Sequence, residues 1–535
     1  MKMNLESLKQ TEQWDKAGVI LPKFDPKVIL ENTNKTPRWV HFGAGNIFRG
    51  FVGKINQIML NEGKADTGII AIDTFDYDII EKVFHDFDNL TMLVNLQPNG
   101  DMVKEVIASI IKSYPADAKN TAVMSEIIEI FESESLQMVS FTVTEKGYAL
   151  KTPANEYFDV ITADIEDEPQ NARHVISITA FLLYKRFLKG ELPISLVSMD
   201  NCSHNGDILK GSVLDIAQNW CKKGKVEQAF VDYLNNESKV AFPWSMIDKI
   251  TPRPAKEVED ALLELGIEDM TPIITSKNTF VAPFVNAETP QYLVIEDKFP
   301  NGRPDLEAGG VFITDRDTVN KSETMKVTTC LNPLHTALAV FGCTLGYTRI
   351  FEEMRDPELR KLVEKIGYVE SMPVVVDPKI IDPKAFIDEV LNDRFTNPFI
   401  PDEPQRIATD TSQKVGIRFG ETIKAYIKSD SLDVKDLTFI PLTIAGWLRY
   451  LLAVDDKGND MKLNPDPLLQ ELTTKLSTVK IGGEYNHEIL EILANDKIFG
   501  VNLVECGLSD KIEEMFIELI AGPNAVRNTL KKYLG

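Results

Sequence analysis

The chain has 535 residues, 43% of them hydrophobic, so it is long enough to form two domains with separate cores. Its 81 Asp and Glu outnumber its 58 Lys and Arg, and the net charge of -23 argues against nucleic acid and anionic membranes as partners. The five cysteines form no C-x-x-C pair, and the polar N-terminus does not resemble a signal peptide. We therefore expect a cytoplasmic protein that binds small molecules, with an oligomeric state that composition leaves open.

The first half of the chain alternates strand-like and helical patterns. Residues 1–36 predict an irregular lead-in. Apolar runs then predict strands at 38–42, 68–72, 90–96, 138–143 and 194–198. Helical periodicity between them predicts helices at 51–60, 103–111 and 175–187. This alternation indicates an α/β domain whose mostly parallel sheet carries helices on both faces, which is a Rossmann-type arrangement.

After about residue 320 strand signals become rare and amphipathic helical patterns dominate. Helices are predicted at 325–345, 356–365, 384–391, 414–427, 437–454 and 511–520. The longest apolar stretch, 437–454, contains Pro441 and Arg449 and therefore indicates a buried helix rather than a membrane span. We expect an α/β domain over residues 1–320, followed by a mainly α-helical domain over 321–535.

A glycine-containing turn follows the first predicted strand. Gly43 and Gly45 lie between that strand and a helix, where backbone N–H groups can approach a pyrophosphate. A lone G-x-G is equally compatible with a purely structural turn. Asp73, at the end of the second strand, is placed to accept hydrogen bonds from a ribose 2′-OH and to repel a 2′-phosphate, with Asp76 as a nearby alternative. The pattern therefore favours NAD over NADP as cofactor.

Three later segments, 198–206, 242–252 and 326–335, are rich in groups suited to carbonyl and hydroxyl chemistry. Asn332 and His335 are three residues apart and would share one face of a helix. A polar pair on an otherwise apolar helix is costly to bury without partners. Taken alone, the pair also fits an ordinary capping Asn and a satisfied core His.

Several motifs in consistent order resemble the long-chain polyol dehydrogenases, the family that includes mannitol 2-dehydrogenase and the fructuronate and tagaturonate reductases. The motifs span nearly the whole chain: GAGNIFRG, VTEKGY, SMDNCSHNG, FPWSMIDKITPRP, YLVIEDKFPNGRPDLEAGGVFITD, KVTTCLNPLH and RIATDTSQK. The resemblance assigns cofactor binding to Gly43, Gly45, Asn46, Ile47, Arg49 and Asp73. In the family fingerprint G-x-G-x-F-x-R-x-H, this chain has Ile47 and Phe51 in place of the Phe and the His.

The same resemblance implies the roles of the catalytic and substrate-binding residues. A lysine exchanges the hydroxyl proton while hydride moves between substrate and nicotinamide, and Lys326 matches that lysine. Asn201 and Asn332 would polarise the reacting oxygen, and His335 would orient the substrate. The remaining matched positions are Asp248, Arg406 and Lys414, which line the substrate pocket, and Glu145, which is linked to proton exchange with solvent.

The spacing around Lys326 departs from the family. The family lysine commonly precedes the asparagine by five residues, whereas Lys326 precedes Asn332 by six. On a helix one added residue rotates a side chain by about 100°. Either a bulge or an irregular helix start absorbs the extra residue, or another group transfers the proton.

The resemblance implies metal-independent hydride transfer between NAD(H) and a sugar acid or sugar alcohol. The chain has no Tyr-x-x-x-Lys proton relay, and its histidines and cysteines form no zinc pattern. Within the family we expect reduction of D-fructuronate to D-mannonate, with tagaturonate reductase and mannitol 2-dehydrogenase as alternatives. A non-catalytic NAD-binding sensor that retains the fold is the remote alternative.

Overall fold

A computed structural model describes residues Met1–Gly535. The chain forms two compact units. The first comprises Met1–Gln97 and Asp101–Asn320, and the second comprises Pro98–Gly100 and Lys321–Gly535.

A six-stranded parallel sheet organises the first unit. Its strands, in spatial order, are Ile110–Pro115, Ile69–Asp73, Trp39–Phe42, Met138–Phe141, Ile194–Ser198 and Val240–Ala241. Numbered by position along the chain, this is the order 3-2-1-4-5-6 of dinucleotide-binding Rossmann folds. The strand order reverses beside the first strand, and ligands bind such sheets at the carboxyl ends of the strands near this point.

Both faces of this sheet are covered, which explains why its strands are apolar throughout. Along Trp39–Phe42, Val40 and Phe42 join one buried cluster with Phe131, whereas Trp39 belongs to a second cluster with Phe48. The alternation follows from the two-residue period of side chains along a strand. The sheet therefore separates two hydrophobic cores.

Helices and single turns connect the strands of this unit. The α-helices are Thr11–Lys16, Pro26–Lys35, Gly53–Asn61, Tyr77–Ile79, Thr121–Phe131, Thr144–Tyr148, Asp159–Glu166, Val175–Leu188, Asn205–Lys222, Gln228–Asn235 and Lys256–Glu264, and the helix Arg316–Met325 contains residues of both units. The 3-10 turns are Ser7–Lys9, His85–Phe87, Pro169–Asn171 and Leu306–Gly309, and the π-helical turns are Phe48–Val52 and Ile80–Phe84.

Three smaller sheets complete the first unit. A mixed four-stranded sheet contains Val19–Ile20, Met102–Ile107, Thr91–Leu96 and Phe284–Glu288 in that order. A three-stranded sheet contains Ser245–Asp248, Tyr292–Glu296 and Phe312–Thr314, and a two-stranded one contains Ile273–Ile274 and Phe280–Val281.

The second unit is built from helices around two apolar ones, Asn332–Leu345 and Phe439–Tyr450, which are buried along almost their whole length. Gly446 lets the ring of Phe341 approach the backbone, because a Cβ at Gly446 would lie 2.5 Å from that ring. The other α-helices are Ile350–Glu353, Pro357–Glu364, Pro383–Glu389, Pro404–Ile407, Glu421–Lys428, Leu469–Lys475, Leu490–Leu493, Asp496–Phe499, Ser509–Leu519 and Ala525–Leu534. The π turns are Lys326–Cys330, Lys365–Ser371, Val390–Arg394 and Gly416–Gly420, and the 3-10 turns are Met372–Val374, Thr411–Gln413 and Val434–Asp436.

The predicted fold class, a Rossmann-type domain followed by a mainly helical one, is confirmed. Three local predictions are wrong. Residues 1–36 are not irregular, because they form helices and a short strand paired with Met102–Ile107. Residues 103–111 belong to two strands rather than a helix. Their β-branched side chains suit a sheet, and each of the two strands pairs with a neighbouring strand. The helix predicted at 325–345 is interrupted by the π turn Lys326–Cys330. No helix of the chain is both long and apolar enough to span a bilayer.

Candidate active site

The turn after the first strand of the parallel sheet requires one of its glycines and leaves space at the other. Gly43 has a φ of +101°, and a Cβ there would lie 2.2 Å from the carbonyl oxygen of Thr142. A Cβ on Gly45, in contrast, would meet no atom within 4 Å. Gly43 is therefore needed to make the turn, whereas Gly45 keeps open the space through which a ligand can approach the backbone. This fits a dinucleotide-binding turn.

Asp73 is tied to this turn. Its Oδ2 accepts a hydrogen bond of 3.1 Å from the N–H of Ala44, and its Oδ1 accepts bonds of 2.8 Å from Phe75 and Asp76. Burial raises the pKa of the Asp73 carboxyl, although the three backbone donors oppose that rise. Asp76 points elsewhere, since its Oδ2 accepts a bond of 2.7 Å from Thr275. Of the two carboxylates considered from the sequence, Asp73 is the one bonded to the turn.

Arg49 lies behind the turn rather than on its surface. Its guanidinium is fully buried and donates to the carbonyl of Ala282 and to Oδ1 of Asn46, both at 2.8 Å. Burial lowers the pKa of Arg49 to about 9. Asn46 and Ile47 themselves are half-buried. Arg49 therefore fixes the side chain of Asn46 and has no surface of its own to offer a ligand.

The loop after the strand Ile194–Ser198 is held by the half-buried Asp200 and the buried Asn205. The carboxylate of Asp200 accepts a hydrogen bond of 2.6 Å from the Tyr148 hydroxyl and one of 2.9 Å from the N–H of Val143. Asn205 donates to the carbonyls of Ser198 and Ser245 and accepts from the N–H of Ser245. These anchors leave Asn201, between them in sequence, exposed at the carboxyl end of the sheet. They join segments 198–206 and 242–252, which the sequence had indicated separately.

Two further predicted site residues belong to the first unit. Glu145 is exposed on the short helix Thr144–Tyr148 and lines a surface cavity of about 390 Å³. Asp248 is buried at the end of the strand Ser245–Asp248, opposite Tyr292.

In the second unit a π turn and one non-helical residue lie between Lys326 and the helix that begins at Asn332. The N–H of Leu331 donates to the carbonyl of Lys326, five residues earlier, at 3.1 Å. Leu331 then leaves the helical conformation, with φ −131° and ψ −63°, and a new helix begins at Asn332. The fixed rotation of about 100° per residue therefore does not apply between Lys326 and Asn332. Lys326 is 2% exposed, and the half-buried side chain of Asn332 makes no hydrogen bond to another protein group.

His335 contacts a carboxylate that the sequence analysis missed. Its Nε2 lies 2.6 Å from Oδ2 of Asp402. The other carboxylate oxygen of Asp402, Oδ1, accepts a hydrogen bond of 2.5 Å from Arg406. The first contact is an ion-pair distance rather than a well-aligned hydrogen bond. Although burial raises the pKa of Asp402, the positive charges of His335 and Arg406 outweigh it and hold the pKa at about 2. Asp402 is thus charged and bridges two predicted site residues.

Lys414 lies beside a second cation that the sequence analysis also missed. The ammonium of Lys414 donates to the carbonyl of Thr409 at 2.5 Å. Burial, followed by the positive charge of Arg418, lowers the pKa of Lys414. Arg418 donates a hydrogen bond of 2.5 Å to Oγ1 of Thr336, and Thr336 directly follows His335 in the sequence. The four-residue spacings of Asp402 with Arg406 and of Lys414 with Arg418 are the only sequence signals of these partners.

Within the second unit, then, Lys326 lies on a π turn and Asn332 and His335 lie at the start of the next helix. Arg406 and Arg418 are linked to that helix through Asp402 and Thr336. Such a set offers a buried amine, an amide and several cations. It is suited to a polar, anionic substrate that exchanges a proton.

Two family models match the chain. The mannitol dehydrogenase Rossmann domain matches residues 37–308, and the mannitol dehydrogenase C-terminal domain matches residues 318–519. The chain belongs to the mannitol dehydrogenase family. This confirms the family resemblance of the sequence motifs and identifies the chain as an oxidoreductase.

Two curated relatives match over almost their full lengths. D-mannonate oxidoreductase of Thermotoga maritima is 51% identical over 539 residues, which cover 100% of this chain and 99% of that protein. A mannitol 2-dehydrogenase of Neosartorya fischeri is 28% identical over 560 residues, covering 100% of this chain and 99% of that protein.

Solved structures share the fold of this family member. The ternary complex of Pseudomonas fluorescens mannitol 2-dehydrogenase with NAD and D-mannitol has a TM-score of 0.71 at 26% identity, covering 100% of this chain and 99% of that one. D-sorbitol dehydrogenase in substrate-free form has a TM-score of 0.78 at 24% identity, covering 95% and 97%, and supports the fold alone.

Proposed function

We propose that this protein is an NAD-dependent oxidoreductase that interconverts D-fructuronate and D-mannonate. The observation that carries the proposal is the 51% identity, over the full length of both chains, with a protein named D-mannonate oxidoreductase. Mannitol 2-dehydrogenases match over a similar length at much lower identity, so a sugar acid is favoured over a sugar alcohol. The cations Arg406, Lys414 and Arg418 near the start of the helix Asn332–Leu345 support an anionic substrate.

The first unit is proposed to bind NAD through Gly43, Gly45, Asn46, Ile47 and Asp73. When bound, NADH supplies the hydride. Asp73 accepts hydrogen bonds from the ribose hydroxyls, and its carboxylate disfavours a 2′-phosphate at that position. Arg49, which has no exposed surface, is proposed to position Asn46 rather than to contact the cofactor.

The proton is proposed to move through Lys326. During reduction its ammonium donates a proton to the oxygen of the forming hydroxyl, and the neutral amine regains one from solvent. The burial of Lys326 supports this role, because it shields the proton transfer from bulk solvent. Glu145 is proposed to serve that exchange with solvent.

The remaining predicted residues are proposed to polarise and orient the substrate. The amide groups of Asn201 and Asn332 donate to the oxygen on which negative charge develops. His335, held by Asp402, orients the sugar acid, and Asp248 accepts from its hydroxyls. Arg406 and Lys414 attract its carboxylate.

A substrate panel tests the proposal. NADH oxidation is measured with D-fructuronate, D-tagaturonate and D-fructose under identical conditions. We expect the highest kcat/KM with D-fructuronate. A higher kcat/KM with neutral D-fructose would overturn the sugar-acid assignment, and a higher value with D-tagaturonate would move the assignment to tagaturonate reduction.

A non-catalytic NAD-binding sensor is the alternative from another class. It predicts tight NADH binding with no oxidation of NADH by any compound of the panel.

The free cysteines and the acidic composition support a cytoplasmic location and small-molecule partners rather than nucleic acid.

A further inference from the structure

Arg418 projects toward the helix that carries the predicted catalytic residues. It belongs to the turn Gly416–Gly420. A Cβ on Gly416 or Gly420 would clash with the backbone between Ile498 and Gly500, so that face of the turn is pressed against the chain. Arg418 lies two residues from each glycine, about 200° around the helix, and so points away from that contact. On its free side it reaches Oγ1 of Thr336 at 2.5 Å.

Arg418 carries a positive charge that no carboxylate of the protein neutralises. Its pKa is lowered to about 10 by burial, so the guanidinium stays charged at neutral pH. Arg406 is paired with Asp402, whereas Arg418 makes no ion pair, and its guanidinium bonds only the neutral hydroxyl of Thr336. Lys414, four residues earlier, adds a second positive charge close by.

An uncompensated, partly buried cation is costly unless a ligand supplies the opposite charge. A guanidinium has five N–H donors in a planar fork, and a carboxylate matches that fork with two parallel hydrogen bonds. A keto-uronate has such a carboxylate, whereas a neutral ketose has a hydroxymethyl group in its place. The chemistry of the site therefore discriminates between the two substrate classes.

We propose that Arg418 is a specificity-determining residue that binds the carboxylate of the sugar-acid substrate, with Lys414 as the neighbouring charge. This inference rests on the proposed keto-uronate reduction and names the residue that selects the acid. It places the charged end of the substrate at the side of the helix Asn332–Leu345 where Arg418 contacts Thr336.

The test compares D-fructuronate with its neutral methyl ester in the full-length enzyme. In the wild type kcat/KM for the acid exceeds that for the ester. Arg418→Met is expected to lower the acid-to-ester ratio about 100-fold, mostly through KM for the acid. Arg418→Lys, which keeps the charge but loses the fork, is expected to lower it about tenfold. NADH affinity and Tm, measured in parallel, establish that both variants are folded.

Thr336→Val is the matched control, because it removes the hydrogen bond of Arg418 to the helix but keeps the cation. We expect it to leave the acid-to-ester ratio unchanged. If Arg418→Met slows both compounds equally, or leaves the ratio as it is, Arg418 does not bind the carboxylate. If the wild type reduces neither compound, the proposed function is wrong and this assignment falls with it. If the wild type prefers the ester, the reaction stands and the role of Arg418 is overturned.

Discussion

The backbone N–H of Leu331 donates to the carbonyl of Lys326, five residues earlier, and Leu331 then leaves the helical conformation before a new helix begins at Asn332. On an uninterrupted helix the six-residue spacing would turn Lys326 and Asn332 about 100° further apart than the five-residue spacing common in the family. Because the helix is interrupted between the two residues, that rotation does not apply, and Lys326 stays the predicted proton-transfer group.

Removal of the Lys326 amine is expected to abolish turnover while leaving cofactor binding intact. Lys326→Ala should lower kcat for D-fructuronate reduction about 100- to 10,000-fold, because proton transfer contributes on that order. NADH affinity, measured by fluorescence titration, should change little. Lys321→Ala, five residues upstream, is the control and should retain turnover. Equal losses in the two variants would contradict the assignment to Lys326.

The two glycines of the nucleotide turn are expected to respond differently to a methyl group. Gly43→Ala should destabilise the protein by about 3 kcal/mol, since the φ of +101° and the Thr142 carbonyl both exclude a Cβ. Gly45→Ala should leave Tm nearly unchanged, yet weaken NADH binding roughly tenfold or more by filling the open space. Unchanged NADH binding by a folded Gly45→Ala variant would contradict a cofactor at this turn.

Asp73 is expected to set the preference for NADH. Asp73→Ser should lower the ratio of kcat/KM for NADH to that for NADPH about tenfold or more, because it removes both the ribose acceptor and the charge that repels a 2′-phosphate. Asp76→Ser is the matched control, since the Asp76 carboxylate bonds Thr275 instead of the turn. A shift in preference with Asp76→Ser alone would show that the wrong carboxylate has been assigned.

Asp402 is expected to stabilise the second unit in a pH-dependent manner. Its pKa falls from 3.8 to about 2 on folding, so the ionised form is favoured in the native state. The contribution, about 2 kcal/mol, is fully present above the unfolded pKa and is lost as pH falls through about 2. Asp402→Asn should therefore lower Tm at pH 7, with the difference from wild type shrinking below pH 4.

Glu364→Gln provides the control for Asp402→Asn. Glu364 forms an ion pair with Arg360 in which both side chains are more than a third exposed, and such pairs contribute little. If Glu364→Gln lowered Tm at pH 7 as much as Asp402→Asn does, burial of the Asp402 ion pair would not account for its contribution to stability.

Local features of the fold and site were predictable from sequence. The strand at 194–198 and the helix at 175–187 have strong apolar patterns, and the turn at Gly43 lies where a strand pattern changes directly to a helical one. These features depend on side chains close together in the chain, so periodicity is enough to find them.

Features that depend on residues far apart in the chain were not predictable from the sequence. The strand Val19–Ile20 has two residues and is fixed only by pairing with Met102–Ile107. Residues 103–111 have a helical spacing of apolar positions, but pairing with Thr91–Leu96 and Ile69–Asp73 makes them strands. Asp402 and Arg418 became site residues through contacts with residues 67 and 82 positions away, which no local pattern encodes.

A structure of the enzyme with NAD and D-mannonate bound would show which side chain faces the reacting oxygen. We expect Nζ of Lys326 to lie within about 2.6–3.2 Å of the substrate hydroxyl that becomes the ketone, with Asn332 donating to the same oxygen. A different side chain within hydrogen-bond distance of that hydroxyl, with Lys326 directed away from it, would show that Lys326 is not the proton-transfer group.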